Sequence, residues 1–220
     1  MRILLLGASG MVGQGVLREC LLSNEVSNVL SVGRSTTGQQ NEKLKEIAQK
    51  DITGLSAIEA QLTGYDACFF CLGVSSAGMS EQDYTSITHD LTLAVASTLL
   101  KLNSNMTFIY VSGTGTDSSE KGRSMWARVK GRTENELLRL GFKGAYMFRP
   151  GYIQPLDGIK TKTRVYAIFY AVLGPLYPIL KAVLPNYVTT TQQVGRAMIQ
   201  VAQHGAPKTF LENRDINAFI

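Results

Sequence analysis

Histidine and cysteine are scarce in this chain. Two histidines, His89 and His204, and three cysteines, Cys20, Cys68 and Cys71, occur in 220 residues. That supply offers no zinc-ligand spacing and no nucleophile–base pair, so no metal site is expected. His89 precedes Asp90 in "ITHDLT", and adjacent residues of a helix do not share a face. His204 ends a helical pattern, where it would meet the carboxyl-end dipole. Cys68 and Cys71 form a C-x-x-C pattern inside the apolar run "DACFFCLG". Residues three apart on a strand point to opposite faces, so these sulfurs should not meet. All three thiols are expected reduced and mostly buried. Charge is also thin, at 18% against 45% hydrophobic residues, which excludes a disordered chain. Internal repeats and low-complexity tracts are absent. The apolar run of "MRILLLGASG" is too short for a signal peptide and leads into a glycine loop, so the chain is expected to be cytoplasmic. Residues 165–185 have nearly the length of a membrane span, but Lys181, Pro175 and Pro178 interrupt them.

The net charge is +5 and the pI about 9.1. Most cations alternate with acids, as in the patch Arg123 to Arg139, which also holds Glu134 and Glu136. A solvated helix face explains that pattern better than nucleic-acid binding, which has the pI alone to recommend it.

The first half alternates continuous apolar runs with helical patterns. "RILLLG", "VSNVLSVGR", "LKEIAQKDI", "YDACFFCLG", "MTFIYVSG" and "GAYMFRPG" read as strands. "GMVGQGVLRECLLS", "LSAIEAQLTG", a long run from Ser80 and "SMWARVKGRTENELLRLG" read as helices. "STTGQQNEK" is too short for a crossover helix. Continuous apolar strands separated by helices predict an α/β fold, a doubly wound parallel sheet of the Rossmann type. The chain reads as a single domain over 1–220. Its cofactor-binding core spans 1–155, and a C-terminal helical region with a possible edge strand, "KTFLEN", spans 156–220. Residues 165–185 predict two short helices packed over the cleft, forming an apolar substrate pocket or lid, or the face of a homodimer. Peripheral membrane contact is the sharper alternative. "VTTTQQVGRAMIQVAQHG" predicts a capped amphipathic helix.

Ligands of such sheets bind beyond the carboxyl ends of the strands. Gly7, Arg34, Asp51, Cys71, Ser112 and Pro150 all fall there. "GASGMVG" places Gly7, Gly10 and Gly13 between a strand and a helix, the context of a dinucleotide loop, with Ser9, Met11 and Val12 completing it. A helix start there offers free N–H groups and a positive dipole end to a pyrophosphate. The second strand ends without the acid that would take the ribose hydroxyls of NAD. Arg34 and Ser35 follow instead, which favours the 2′-phosphate of NADP. Asp51 and Ile52 border the adenine position. Cys71, Leu72 and Gly73 pass the cofactor ribose.

These motifs, "GASGMVG", "VGRS", "CLG" and "VSG…RVKG…RPG", resemble an atypical short-chain dehydrogenase/reductase. The branch is the Tat-interacting-protein-like one, related to NAD-dependent epimerases. The likeness spans about residues 1–155. It implies that Ser112 and Lys130 occupy the catalytic serine and lysine positions, and that Pro150, Gly151 and Tyr152 cradle the nicotinamide. One residue departs. Trp126 stands four residues before Lys130, where the family has a tyrosine as proton donor. An indole N–H has no usable acidity. Thr114 and Thr116 are the other hydroxyls near the site, and Tyr84, in the first turn of the helix after Ser80, could face either the cleft or the solvent. The chain therefore reads as an NADP(H)-binding oxidoreductase or epimerase-like protein for a small carbonyl or hydroxyl substrate. The alternative is a non-catalytic NADP-sensing or scaffolding protein.

Overall fold

The computed structural model describes residues 1–52, 54–161, 170 and 173–219. Strand β1 (Arg2–Leu6) is apolar on both sides, so it can lie only in the middle of a covered sheet. It pairs with β2 (Asn28–Gly33) on one side and β4 (Ala67–Phe70) on the other, with Ile3 opposite both Val29 and Ala67. The seven-stranded sheet runs β3-β2-β1-β4-β5-β6-β9 and every pairing is parallel. Here β3 is Leu44–Ala48, β5 Thr107–Val111, β6 Gly144–Arg149 and β9 Phe210–Glu212. This is the expected doubly wound sheet, and its strand order reverses between β1 and β4. The third strand stops at Ala48, so Asp51 and Ile52 lie beyond it. β3 follows β2 with no helix between them. "KTFLEN" supplies the edge strand beside β6.

Helix α1 (Met11–Leu22) and helix α6 (Thr191–His204) cover one face. Val16, Leu17, Cys20, Val194, Met198 and Val201 pack there on Ile3, Leu5 and Phe69. The other face holds α3 (Leu91–Leu102), α4 (Met125–Arg139) and a 3-10 turn at Leu55–Gln61. Val95, Leu99 and Leu137 pack there on Leu4, Leu6, Phe70 and Phe108. Burying each such side chain is worth about 1.5–3 kcal/mol, which explains why alternate residues of one strand serve two separate cores. Cys68 belongs to the second core and Cys71 to the first, as residues on opposite faces must. All three cysteines are free.

Two local departures stand out. The long helix expected after Ser80 divides into α2 (Glu81–Thr85), a π-turn at Ser86–Asp90 and α3. Ser80 caps it as expected, its Oγ accepting from the Asp83 amide at 3.1 Å. Of the two helices expected over 165–185, the described part contains one, α5 (Tyr177–Val183), entered through a 3-10 turn at Gly174–Leu176. Neither piece contains a fully buried residue, while Tyr177 and Leu180 are half-buried. The remainder of that expectation falls on residues 162–169, 171 and 172, outside the described residues. Strands β7 (Tyr152–Gln154) and β8 (Val188–Thr190) form a small parallel pair, and α7 (Asn213–Ala218) ends the chain's regular structure.

Candidate functional site

The loop from Gly7 to Gly13 is shaped by contacts that exclude side chains. Gly7 has φ +88°, and a Cβ there would lie 2.7 Å from the carbonyl carbon of Cys71 at the end of β4. A Cβ on Gly13 would lie 2.0 Å from the Gly7 carbonyl oxygen, so helix and loop touch through hydrogen alone. Gly10 precedes α1 in extended backbone. Its amide donates to Gly7 O at 3.0 Å, and no side chain caps the helix. The first turn, with Met11, Val12 and Gly13, holds no acid. An uncapped helix start with a positive dipole end fits an anionic diphosphate. Ser9 and Gln14 brace the loop, the Gln14 side-chain Nε2 donating to Ser9 O at 3.2 Å. One strand away, Arg34 and Ser35 are exposed just past β2. Asp51 is exposed and Ile52 buried past β3. Leu72 packs on the core, and a Cβ on Gly73 would meet nothing within 4 Å. These residues share the carboxyl edge of the sheet, as the sequence implied.

The far side of that edge differs from what the resemblance implies. Ser112, one residue past β5, is 3% exposed. Its hydroxyl donates to Glu134 Oε1 at 2.5 Å and stands 3.2 Å from Phe148 O. The serine oxygen is thus tied to a buried carboxylate. Glu134 has no exposed surface and pairs with Arg149, whose Nε donates to Oε1 at 3.0 Å and whose Nη2 donates to Oε2. Arg149 also reaches Ser118 Oγ at 2.5 Å and Glu212 Oε1 at 3.3 Å, and its guanidinium lies 4.6 Å from the Phe210 ring centre. Such a pair is tolerated in a core only when its remaining lone pairs and protons are satisfied, as here. Glu134 was expected on a solvated face and is instead the centre of this network. Its spacing held the signal: it stands four residues after Lys130 and three before Leu137, on the inward stripe of α4.

Lys130 does reach the site. Its Nζ donates to the main-chain carbonyl of Ser112, and its side chain is half-buried. Burial pushes the ammonium down to about 8, against the opposing pull of the Glu134 carboxylate. One turn earlier, Trp126 lies along the backbone after β5, its Cη2 being 3.3 Å from a Cβ placed on Gly115. The indole therefore lines the same side of α4 as Lys130, at i and i+4.

Pro150, Gly151 and Tyr152 follow β6 as expected, but their main-chain groups are engaged. The Gly151 amide donates to Asn213 Oδ1 at 3.0 Å, and the Tyr152 amide donates to Tyr187 O at 2.8 Å. Pro150 O accepts from Thr114 N at 2.9 Å. A cradle here would rest on side chains and shape. Thr116 is likewise committed, its hydroxyl donating to Gly113 O at 2.8 Å. Tyr84 is buried, at 2% exposure. His89 and Asp90 do meet, contrary to expectation: His89 Nδ1 is 2.7 Å from Asp90 Oδ1, and Nε2 is 3.1 Å from Glu136 Oε1. The π-turn that holds both residues winds wider than an α-helix, so the rule for adjacent α-helical residues does not govern them. Among the described residues, no group of three or more His, Cys, Asp or Glu side chains could hold a metal ion.

A glycine loop at the reversal point of a seven-stranded parallel sheet, opening an uncapped helix, defines a nucleotide-binding α/β protein of the short-chain dehydrogenase type. The chain belongs to the NAD dependent epimerase/dehydratase family, whose model matches residues 3–122. That match takes in the glycine loop and Ser112 but stops short of Trp126 and Lys130. Among curated proteins the chain is similar to Protein HTATIP2 of Rattus norvegicus, 27% identical over 201 residues covering 85% of this chain and 81% of the relative. It is also similar to Protein fmp52-2, mitochondrial, of Aspergillus terreus, 25% identical over 90% of this chain and 84% of that one. Among solved structures, the YIR035C short chain dehydrogenases/reductase of Saccharomyces cerevisiae superposes with a TM-score of 0.70 at 14% identity, covering 100% of this chain and 99% of that chain. The Bordetella bronchiseptica enzyme WbmF, solved in complex with NAD+, gives 0.68 at 16% identity, over 99% and 76%. At those identities the structural matches show the fold alone. The family implies a nicotinamide cofactor. Several fungal relatives are named mitochondrial. Those names point away from a purely cytoplasmic location, and that expectation is withdrawn. Its physical basis was weak: the N-terminal apolar run is the central strand β1, which carries no information on destination.

Proposed function

We propose that this chain is an NADP(H)-binding oxidoreductase or epimerase-like protein acting on a small carbonyl or hydroxyl compound, with Lys130 in place of the usual tyrosine as proton carrier. The observation that carries the reading is the uncapped, acid-free start of α1 behind Gly7 and Gly13, with Arg34 exposed one strand away. Main-chain amides there would hold the diphosphate, and the Arg34 guanidinium with Ser35 would take the 2′-phosphate. A bound nicotinamide cofactor supplies the hydride. The protein's own part is orientation and a proton. Trp126 cannot give one. Ser112 has its hydroxyl committed to Glu134. Lys130 Nζ stands at the Ser112 carbonyl, and burial brings its ammonium to about 8, so it can hold or release a proton at Nζ near neutral pH.

The test begins with the lone tryptophan. Titrating NADPH and NADH into the protein should quench Trp126 emission, with NADPH binding the tighter. Arg34→Ala should erase the difference, and Gly13→Val should abolish both. Tighter binding of NADH would overturn the NADP assignment. Turnover follows, as NADPH oxidation against a panel of aldehydes and ketones. Lys130→Ala should remove it, and the native rate should fall as pH rises through about 8, where the reductive proton is lost. Cofactor binding without turnover on any panel member would favour the non-catalytic sensing role, which the commitment of Ser112 to Glu134 also suits.

A further inference from the structure

The segment Gly174–Tyr187 places its apolar side chains outward. Leu176, Ile179 and Val183 fall at helical spacing on one stripe of α5 and its entry turn, and they are 44%, 62% and 70% exposed. Leu184 and Tyr187 continue the surface, at 44% and 62%. Amphipathic helices ordinarily turn such a stripe onto their own core. Here neither α5 nor its entry turn contains a fully buried residue, and the apolar stripe faces away. A contiguous apolar surface of this kind marks a docking site.

The charge around it selects the occupant. Between Asp157 and Glu212 the sequence has no acidic residue; Arg196 and Lys208 in that interval are paired with Glu19 and Asp215, and the segment Gly174–Tyr187 itself carries Lys181 and no acid. Lys181 projects from α5 itself and is exposed, its Nζ 5.9 Å from the Tyr177 ring centre. A second copy docking through the same patch would set Lys181 against a like charge, and the segment has no acid to offset it. Apolar side chains beside lysine, without acids, match a surface that is apolar below and anionic above. Among the described residues no helix is long and apolar enough to cross a membrane, so the contact would lie in the plane of the interface. We propose that Gly174–Tyr187 docks the protein on an anionic lipid bilayer, with Leu176, Ile179 and Val183 entering the headgroup boundary and Lys181 meeting lipid phosphates. The proposal stands independently of the cofactor assignment.

The experiment is flotation of the whole chain with vesicles. One set is pure phosphatidylcholine; the other is equal parts phosphatidylcholine and phosphatidylserine. The native protein should float with the anionic vesicles at low salt and progressively less as salt rises. The double variant Ile179→Asp/Val183→Asp should lower the floated fraction by about tenfold or more, and Lys181→Ala by about fivefold, since each basic residue near an anionic surface adds about 1 kcal/mol. Both variants should keep the native circular dichroism and melting temperature, because the positions replaced are exposed. Failure to float on anionic vesicles at low salt would overturn the proposal. So would flotation that the double variant leaves unchanged. A dimer in light scattering that the double variant dissociates, with no flotation, would assign the face to a second copy instead.

Discussion

Lys130 holds a proton that the fold makes easier to lose. Burial lowers its ammonium from the ordinary 10.5 to about 8. Between those values the unfolded chain keeps the proton and the native chain has released it, so the unfolded state binds more protons. Native stability therefore gains from Lys130 as pH climbs from about 8 to about 10.5, and below 8 the burial penalty is felt in full. The buried thiols act the other way: burial pushes Cys71 up to about 12, and Cys20 and Cys68 rise as well. The informative quantity is a difference. Urea unfolding of native protein and Lys130→Met at pH 8 and pH 10 should show the native protein gaining on the variant at the higher pH. At this scale the sequence was readable where a residue type has a single use. Gly7 and Gly13 mark contacts that admit no Cβ. It was not readable where a side chain had a choice of partners. The Ser112 hydroxyl bonds a carboxylate contributed by another element, and no local spacing indicates which neighbour wins.

Helix α4 is tied to the core through Glu134, which Arg149 at the end of β6 neutralises. Removing the arginine strands a carboxylate with no exposed surface. Arg149→Met is expected to cost about 3–5 kcal/mol in urea denaturation, the range for breaking a buried pair by deleting one partner. Arg132→Ala on the outer face of the same helix also breaks an ion pair, to Glu136 at 3.1 Å. That variant should cost only about 0.3–0.5 kcal/mol, because the pair is exposed and spaced i,i+4. If the two costs came out equal, Glu134 would not be the buried anchor described above. Elements as such were largely legible. Continuous apolar runs marked the strands, Ser80 marked a helix start, and the edge strand at Phe210 followed from "KTFLEN". The π-turn at Ser86–Asp90 was not, since apolar spacing through it barely departs from that of an α-helix. Nor was the outward stripe of α5. Spacing shows that a stripe exists, but only packing shows which way it turns.

For the whole molecule, the cofactor should act as a structural member. A ligand that binds only the native state at roughly 100 times its Kd adds about 2.7 kcal/mol to stability. A thermal melt should move upward with NADPH and less with NADH at equal concentration; no movement with either would remove the nucleotide reading altogether. The sheet order was implied by the alternation of runs, because crossovers of one hand leave few arrangements. Location was not, since addresses are read by receptors and not by folding. The central place of β1 bears on how the protein is made. A ribosome releases "RILLL" well before one of its two neighbours in the sheet, β4, which begins only at Ala67. Until that strand is synthesised, the nascent chain carries an oily ribbon with an open flank. Chaperone dependence during translation should accordingly be greatest before Phe70 leaves the exit tunnel.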